Sequence, residues 1–246
     1  MNSDLLNSTS SVNKKPVEPL ADLRSQIDQW LRYEKKMRMT SRSSEKERKG
    51  TIFTVWFALW DLWYHSAATN EEASKAVSAT VETLFEQLDR LADNWPGDLK
   101  VVMPEAVDPT FLPGWQLMRT GPQGSDQNAD EQRNAVMLVQ QWNAALDHLA
   151  QGWDKGQLYI YNTNEWMVDQ VREQQLVIND MIDHNGLGQT DSPWDNVQAG
   201  CVGSMNRSDA DTIGTLAEDT RCSNPSRFLF WSVISLQHHF RMCGLP

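Results

Sequence analysis

A chain of 246 residues, 40% of them hydrophobic, can bury one substantial core, and its length is ordinary for a single α/β domain. Its formal net charge of −11 argues against nucleic-acid binding, because a protein that neutralises phosphates needs a basic face. No stretch reaches the roughly 20 apolar residues that a membrane span requires, so no membrane partner is expected either.

The N-terminal segment differs in composition from the rest of the chain. Residues 1–19 are polar, rich in Ser and Asn and interrupted by Pro16 and Pro19, so we predict a flexible tail there. They lack the apolar core of a secretory signal, which leaves the compartment open with the cytoplasm as the default. A single α/β domain is predicted over 20–246.

A helix over 21–37 and a charged connector over 41–50 lead to the stretch on which the fold prediction depends, TIFTVWFALWDLWYHS at 51–66. Its β-branched and aromatic residues do not alternate with polar ones. This pattern is typical of a strand covered on both faces of a parallel sheet, and we predict a strand over 51–59. Ligands bind outside the carboxyl ends of such strands, so Trp60, Asp61 and Trp63 are candidates for a pocket wall.

A crossover unit follows this strand. Thr69 and Glu72 form a capping-box pattern, in which a hydroxyl and a carboxylate satisfy backbone donors at the start of a helix. Apolar residues at spacings of three and four extend that helix to about Asn94, and a β-branched strand is predicted over 99–103. Strand, helix and strand in this order predict parallel pairing.

The second half of the chain continues the alternation. A long connection over 105–126 carries large apolar residues, and loops of this length in compact domains are usually functional. We predict a helix over 128–153, a strand over 157–161 and a third helix over 165–183, which ends at the sequence His184-Asn185-Gly186.

The C-terminal quarter carries the cysteines. Residues 187–226 are predicted to be irregular and pinned by Cys201 and Cys222, which flank a polar loop. A loop-closing disulfide is favoured in an oxidising compartment, and two buried thiols are the alternative. A short apolar run over 228–231 and a helical turn over 236–242 complete the predicted elements.

Four segments, taken in order, carry a resemblance to a known family. They are FALWDLW at 57–63, DPTFLP at 108–113, LYIYNTN at 158–164 and FLFW at 228–231. Over roughly 20–246 the chain resembles the SGNH (GDSL-type) hydrolases, particularly a fungal lipase- or acylhydrolase-like branch. The resemblance implies a three-layer α/β/α flavodoxin-like fold with a small parallel sheet, and ester hydrolysis by a Ser-His-Asp triad. That family is often secreted.

Residue by residue, the chain departs from the catalytic motifs of that family. The Gly-Asp-Ser motif that carries the nucleophile does not occur, and we expect the first strand of the family fold to be missing. Ala58-Leu59-Trp60-Asp61 stands where the family has Gly-x-Asn-Asp, so an indole replaces the amide that helps to hold the oxyanion. Ser232-Val233-Ile234-Ser235 replaces Asp-x-x-His, and a serine cannot act as a general base near neutral pH. Ordinary SGNH catalysis is therefore not expected.

Four residues remain as candidates for acid–base chemistry: Asp61, Asp108, His238 and His239. One histidine of the pair could serve with either carboxylate, because the pair follows the altered late motif. A histidine pair at the surface or at a helix end is the ordinary alternative. Asp108 has an alternative role as the cap of a turn through Pro109.

Candidate ligand contacts lie at the predicted strand ends and in the segments after them. They are Trp60, Trp63, Thr110, Phe111, Asn162, Asn164, Trp166 and Trp231. Aromatic residues of this kind are more often core than ligand contacts, and the asparagines are equally suited to capping the next helix. The sequence shows no metal-ligand spacing, so neither a metal nor a cofactor is expected.

The sequence leaves three hypotheses, and with them the question whether the protein is an enzyme. The first is a catalytically degenerate SGNH-like protein with an aromatic-walled pocket for a small organic ligand. In one variant the pocket steers a cyclisation in fungal secondary metabolism. The second is an active esterase or lipase-like acylhydrolase with a displaced nucleophile. The third is a non-catalytic interaction protein, as a homo-oligomer or with a partner chain that completes its sheet.

Overall fold

The computed structural model describes residues 22–40, 50–115, 125–179, 192–202, 222–232 and 235–236. In these residues the protein is mixed α/β, with mainly helical structure and two small sheets of three strands each. The contacts divide the chain into two compact units. None of the helices in the described ranges combines the length and the apolar character needed to cross a membrane.

The first unit contains the described residues of Lys14–Val107 and Ala129–Thr163. Its elements are helix α1 (Leu23–Met39), strand β1 (Phe53–Thr54), helices α2 (Leu59–His65) and α3 (Asn70–Asn94), strand β2 (Lys100–Pro104), the part of helix α4 (Ser125–Gly152) from Ala129 onward, and strand β3 (Gln157–Tyr161). The strands form a parallel sheet in the order β1-β2-β3, so the predicted parallel pairing is confirmed. Strand β3 has the bounds that the sequence predicted.

Helix α3 carries the main apolar stripe of this unit. Its buried residues recur every three or four positions: Ala73, Val77, Val81, Leu84, Phe85, Leu88 and Leu91. Helices α1 and α2 both pack against it. At the start of α3, Thr69 Oγ1 accepts from the Glu72 N–H at 3.4 Å, which is the cap that the sequence predicted. The helix ends at Asn94, also as predicted.

One face of the parallel sheet lies against this core. The pairing aligns Phe53, Val101 and Leu158 on that face, and Val101 and Met103 of the central strand are fully buried there. Because side chains alternate along a strand, Thr54, Val102 and Tyr159 occupy the opposite face.

The second unit contains the described residues of Asp108–Asn128 and Asn164–Pro246. Its elements are a 3₁₀ turn (Pro109–Phe111), the first residues of α4, helix α5 (Thr163–Ile178) from Asn164 onward, strand β4 (Asn196–Val202), a 3₁₀ turn (Pro225–Arg227), and strands β5 (Phe228–Ser232) and β6 (Ser235–Leu236). Strand β5 pairs in parallel with β4 and antiparallel with β6. Arg227 holds the start of this sheet, because its Nη2 lies 2.7 Å from Asp195 Oδ1.

The predicted strand over 51–59 is wrong over most of its length. Strand β1 covers only Phe53–Thr54, and α2 starts at Leu59, so Trp60, Asp61 and Trp63 lie on a helix and not at a strand end. The physical reason lies in the spacing of the apolar residues. Leu62 and Trp63, three and four positions after Leu59, are buried, which is the pattern of a helix.

The C-terminal predictions need a second correction. The segment 187–226, predicted to be irregular, contains strand β4, and Leu236 lies in strand β6 and not in a helical turn. Residues 237–242, the predicted cap at 184–186 and the tail at 1–19 lie outside the described ranges. The single domain over 20–246 remains a prediction.

Candidate functional site

The backbone turns sharply between β1 and α2, at Ala58. The Val55 N–H still donates to the Val102 carbonyl at 3.0 Å, and three residues later Ala58 has φ 120° and ψ −39°. An L-residue adopts such a positive φ only under strain, which costs on the order of 1–3 kcal/mol. The Ala58 carbonyl accepts the first bond of α2 from the Leu62 N–H at 2.8 Å, and this turn sets the direction of the helix.

Two tryptophans stack on the surface of α2. Trp60 is 41% exposed, whereas Trp63 is buried, and their ring centroids lie 5.8 Å apart with planes tilted by 35°. Residues three apart on a helix are neighbours on its surface, so the buried indole supports the exposed one. The structure therefore brings these two predicted ligand contacts together and leaves the Trp60 ring open to solvent.

The same helix carries a carboxylate and an imidazole on adjacent turns. Burial raises the pKa of the Asp61 carboxyl above its ordinary value, and the nearby His65 acts in the opposite direction. The His65 ring also meets the Tyr64 ring edge-on, with centroids 5.2 Å apart. Sequence reasoning missed His65 as a neighbour of Asp61. The spacing of four residues would have shown the pair if the segment had been read as a helix.

A second group of predicted site residues lies in the second unit. Asp108 is buried at the start of the 3₁₀ turn, where its Oδ1 accepts from the Thr110 N–H at 2.8 Å. Its own N–H donates to Asn164 Oδ1 at 2.9 Å. Burial raises the pKa of Asp108, against the lowering effect of the hydrogen bonds from Thr110. Asp108 thus has the capping role that was the alternative to catalysis, and the structure joins it to Thr110 and Asn164.

The remaining predicted contacts lie on different elements of the two units. Asn162 is exposed directly after β3, and Phe111 is half-buried in the 3₁₀ turn. Trp166 and Trp231 are half-buried on α5 and β5. His238 and His239 lie outside the described residues, so their proposed relation to Asp61 or Asp108 stays a prediction.

Helix α4 fixes the segments that follow α2 and β2. Asn143 forms a two-bond clamp on Ala106: its Oδ1 accepts from the Ala106 N–H at 2.9 Å, and its Nδ2 donates to the Ala106 carbonyl at 3.0 Å. Asn134 Nδ2 donates to the carbonyls of Ser66 and Ala68, at 3.2 and 3.3 Å, just after α2. These side-chain amides satisfy backbone groups that no strand partner reaches.

Cys201 and Cys222 form a disulfide at the end of β4, and the Cys222 N–H also donates to the Cys201 carbonyl at 2.8 Å. The geometry therefore agrees with the first of the two alternatives for this pair. The bond closes a sequence separation of 21 residues, which restricts the unfolded chain.

Neither metal chemistry nor sequence comparison adds a further assignment. In the described ranges, no group of three or more His, Cys, Asp or Glu side chains is placed to hold a metal ion. No protein-family model matches the chain, and a search of curated protein sequences finds no match. We therefore infer function from the geometry of α2 and of the turn that precedes it.

Proposed function

We propose that the protein is a catalytically degenerate relative of the SGNH hydrolases, which binds a small organic ligand on the α2 surface formed by Trp60, Asp61 and Trp63. In this proposal the ligand stacks on the Trp60 ring and the protein does not hydrolyse esters. The proposed fold is the three-layer flavodoxin-like one of that family. The parallel order β1-β2-β3 and the helices on its core face are consistent with it.

The conformation of Ala58 is the observation that carries the proposal. The family motif Gly-x-Asn-Asp has glycine at the position of Ala58, and glycine is the residue that adopts a positive φ without steric cost. Ala58 has φ 120°. A backbone conformation suited to glycine at this position is what descent from a glycine-containing motif would leave behind.

The chemistry around α2 supports binding over hydrolysis. Ester hydrolysis by a serine needs a hydroxyl hydrogen-bonded to a base. In the part of the chain that the structure describes, neither His65 nor His148 is hydrogen-bonded to a hydroxyl. Ser66, the hydroxyl next to His65, donates to the Trp63 carbonyl at 2.7 Å.

The surface favours a flat, largely apolar ligand with a polar group that can hydrogen-bond to a carboxyl. An exposed indole offers a stacking face, and aromatic pairs of this kind contribute about 0.5–1.5 kcal/mol beyond the buried area. The Asp61 carboxyl, whose pKa burial raises above its ordinary value, follows Trp60 directly in α2 and offers a polar group to a ligand. A cyclisation role would use the same surface to fix the shape of a substrate.

The proposal is tested by titrating the full chain with p-nitrophenyl butyrate in a calorimeter. We expect saturable binding that weakens about fivefold or more in Trp60→Ala, since loss of one stacking contact removes about 1 kcal/mol. Tyr33→Ala is the matched control, because Tyr33 is an aromatic residue of similar exposure on α1. Equal affinity of the wild type and Trp60→Ala, or an equal loss in the Tyr33→Ala control, would contradict a site on α2.

A further inference from the structure

Helix α2 exposes two side chains, and both are large aromatic residues. Trp60 is 41% exposed and Tyr64 is 49% exposed, whereas the other residues of the helix are buried or half-buried. The exposed positions of an amphipathic helix are usually polar or charged. Two exposed aromatic side chains on a helix of seven residues therefore indicate a binding surface.

Trp60 and Tyr64 are neighbours on the surface of α2. With about 3.6 residues per turn, Tyr64 lies about 40° around the helix axis from Trp60, and residues four apart have Cβ atoms about 5–6 Å apart. Asp61 lies about 60° further around the axis in the same direction. The order around the helix is therefore Trp60, Tyr64 and Asp61, which puts Tyr64 between the indole and the carboxyl.

Each exposed ring contacts a second ring of the same helix. The ring centroids of Trp60 and Trp63 lie 5.8 Å apart, and those of Tyr64 and His65 lie 5.2 Å apart with the planes at 76°. These contacts restrict the rotation of the exposed rings, so less conformational entropy is lost when a ligand stacks on them. Trp60 and Tyr64 thus form a preorganised two-ring platform.

The platform is small. On α2 it is bounded by the buried Trp63 on one side and by the carboxyl of Asp61 on the other. Two side chains supply far less surface than the roughly 800 Å² that each partner contributes to a stable protein interface. A compact planar ligand with two ring faces therefore fits this part of α2 better than a protein partner does.

We propose that the ligand of the α2 surface carries two fused aromatic rings, which stack on Trp60 and Tyr64 together, so that Tyr64 determines the size of the ligand. This inference rests on the proposed function and adds a residue and a ligand class to it. A one-ring ligand uses Trp60 alone, whereas a second fused ring reaches Tyr64. Removal of the Tyr64 ring should therefore abolish the preference for the larger ligand and preserve binding of the smaller one.

Calorimetric titration of the full chain with two esters tests the role of Tyr64. p-Nitrophenyl butyrate carries one ring, and 2-naphthyl butyrate carries two fused rings on the same acyl group. The wild type should bind the naphthyl ester about fivefold more tightly, because its second ring makes one further aromatic contact. Tyr64→Ala should lower this ratio of dissociation constants about fivefold and leave the affinity for p-nitrophenyl butyrate within about twofold of the wild type.

Three further variants separate loss of the ring from other effects. Tyr64→Phe keeps the ring and should keep the ratio. Tyr64→Leu keeps apolar bulk without a ring and should lose the ratio, and it decides the outcome where Tyr64→Ala does not fold. Tyr33→Ala, at a tyrosine of similar exposure on α1, is the control and should keep the ratio.

A ratio that both Tyr64→Ala and Tyr64→Leu leave unchanged, or that Tyr33→Ala lowers equally, would overturn the role of Tyr64. The proposed function would stand in that case if Trp60→Ala still weakened the binding of both esters. Binding that Trp60→Ala does not weaken, or an absence of binding, would contradict the proposed function and this inference together.

Discussion

Single residues at the β1–α2 turn carry the functional interpretation, and Ala58 is the first of them. Its φ of 120° stores strain two residues before Trp60, the first of the three residues proposed to bind a ligand. An alanine at this position preserves the turn, but its Cβ removes the conformational freedom that glycine has at positive φ.

Ala58→Gly should therefore stabilise the protein. Relief of strain contributes about 1–3 kcal/mol, the lost methyl and the added chain entropy offset about 1 kcal/mol, and a net gain of about 1 kcal/mol is expected. Urea unfolding measures the change. Ala79→Gly, at an exposed interior position of α3, is the control and should cost about 1 kcal/mol. A loss of stability in Ala58→Gly similar to that control would show that the turn is not strained.

A second prediction at the scale of residues concerns Asp61 and the dependence of folding stability on pH. Its pKa is raised above the ordinary value of 3.8, so between the two values the folded state binds more protons than the unfolded state. Stability must then fall as the pH rises through this window. Asp61→Asn removes the ionisation, so its stability relative to the wild type should increase between pH 4 and pH 7.

Urea unfolding of both proteins at the two pH values checks the sign. Asp147→Asn, at an exposed position on α4, controls for the loss of one negative charge. A stability difference between Asp61→Asn and the wild type that stays constant or shrinks with rising pH would show that burial does not govern this carboxyl.

At the scale of elements, helix α4 holds the segments that follow α2 and β2. Asn143 replaces a missing strand partner for Ala106, and Asn134 holds the segment after α2. The sequence predicted this helix from its apolar stripe. It could not predict the amide contacts, because their partners are 37 and 66 or more residues away.

Asn143→Ala should leave the Ala106 N–H and C=O without protein partners in a buried segment. The expected cost is about 2 kcal/mol of unfolding free energy, since each unpaired buried group costs about 1–3 kcal/mol and water can replace part of the loss. Gln140→Ala, at an exposed position one turn away on α4, should change stability by less than about 0.5 kcal/mol. Equal effects of the two substitutions would show that the clamp contributes nothing.

At the scale of the whole molecule, the sequence predicted elements well where the apolar pattern is local and regular. Strand β3 and helix α3 are such cases. Strand β4 was missed because NVQAGCV has no apolar run, and its stability comes from pairing with β5 further along the chain. A short apolar run does not distinguish a strand from a helix, which is why Trp60 and Asp61 were assigned to a strand end.

The sequence predicted only part of the candidate site, because the short apolar run before Trp60 did not distinguish a strand from a helix. The hydrogen bond from the Thr110 N–H to Asp108 follows from turn chemistry, as predicted. The bond from the Asp108 N–H to Asn164 joins residues 56 positions apart and was not predicted. The proximity of His65 to Asp61 can be predicted only if the segment is read as a helix, in which residues four apart are neighbours. The same holds for the contact between the indoles of Trp60 and Trp63, which are three apart.

Turnover of p-nitrophenyl butyrate by the purified full chain decides whether the protein hydrolyses esters. We predict release of p-nitrophenol at the buffer rate, under conditions in which the ester binds and binding depends on Trp60. An enzymatic rate abolished by Asp61→Asn, His238→Ala or His239→Ala would contradict it, because those losses would show a working hydrolase with a displaced nucleophile.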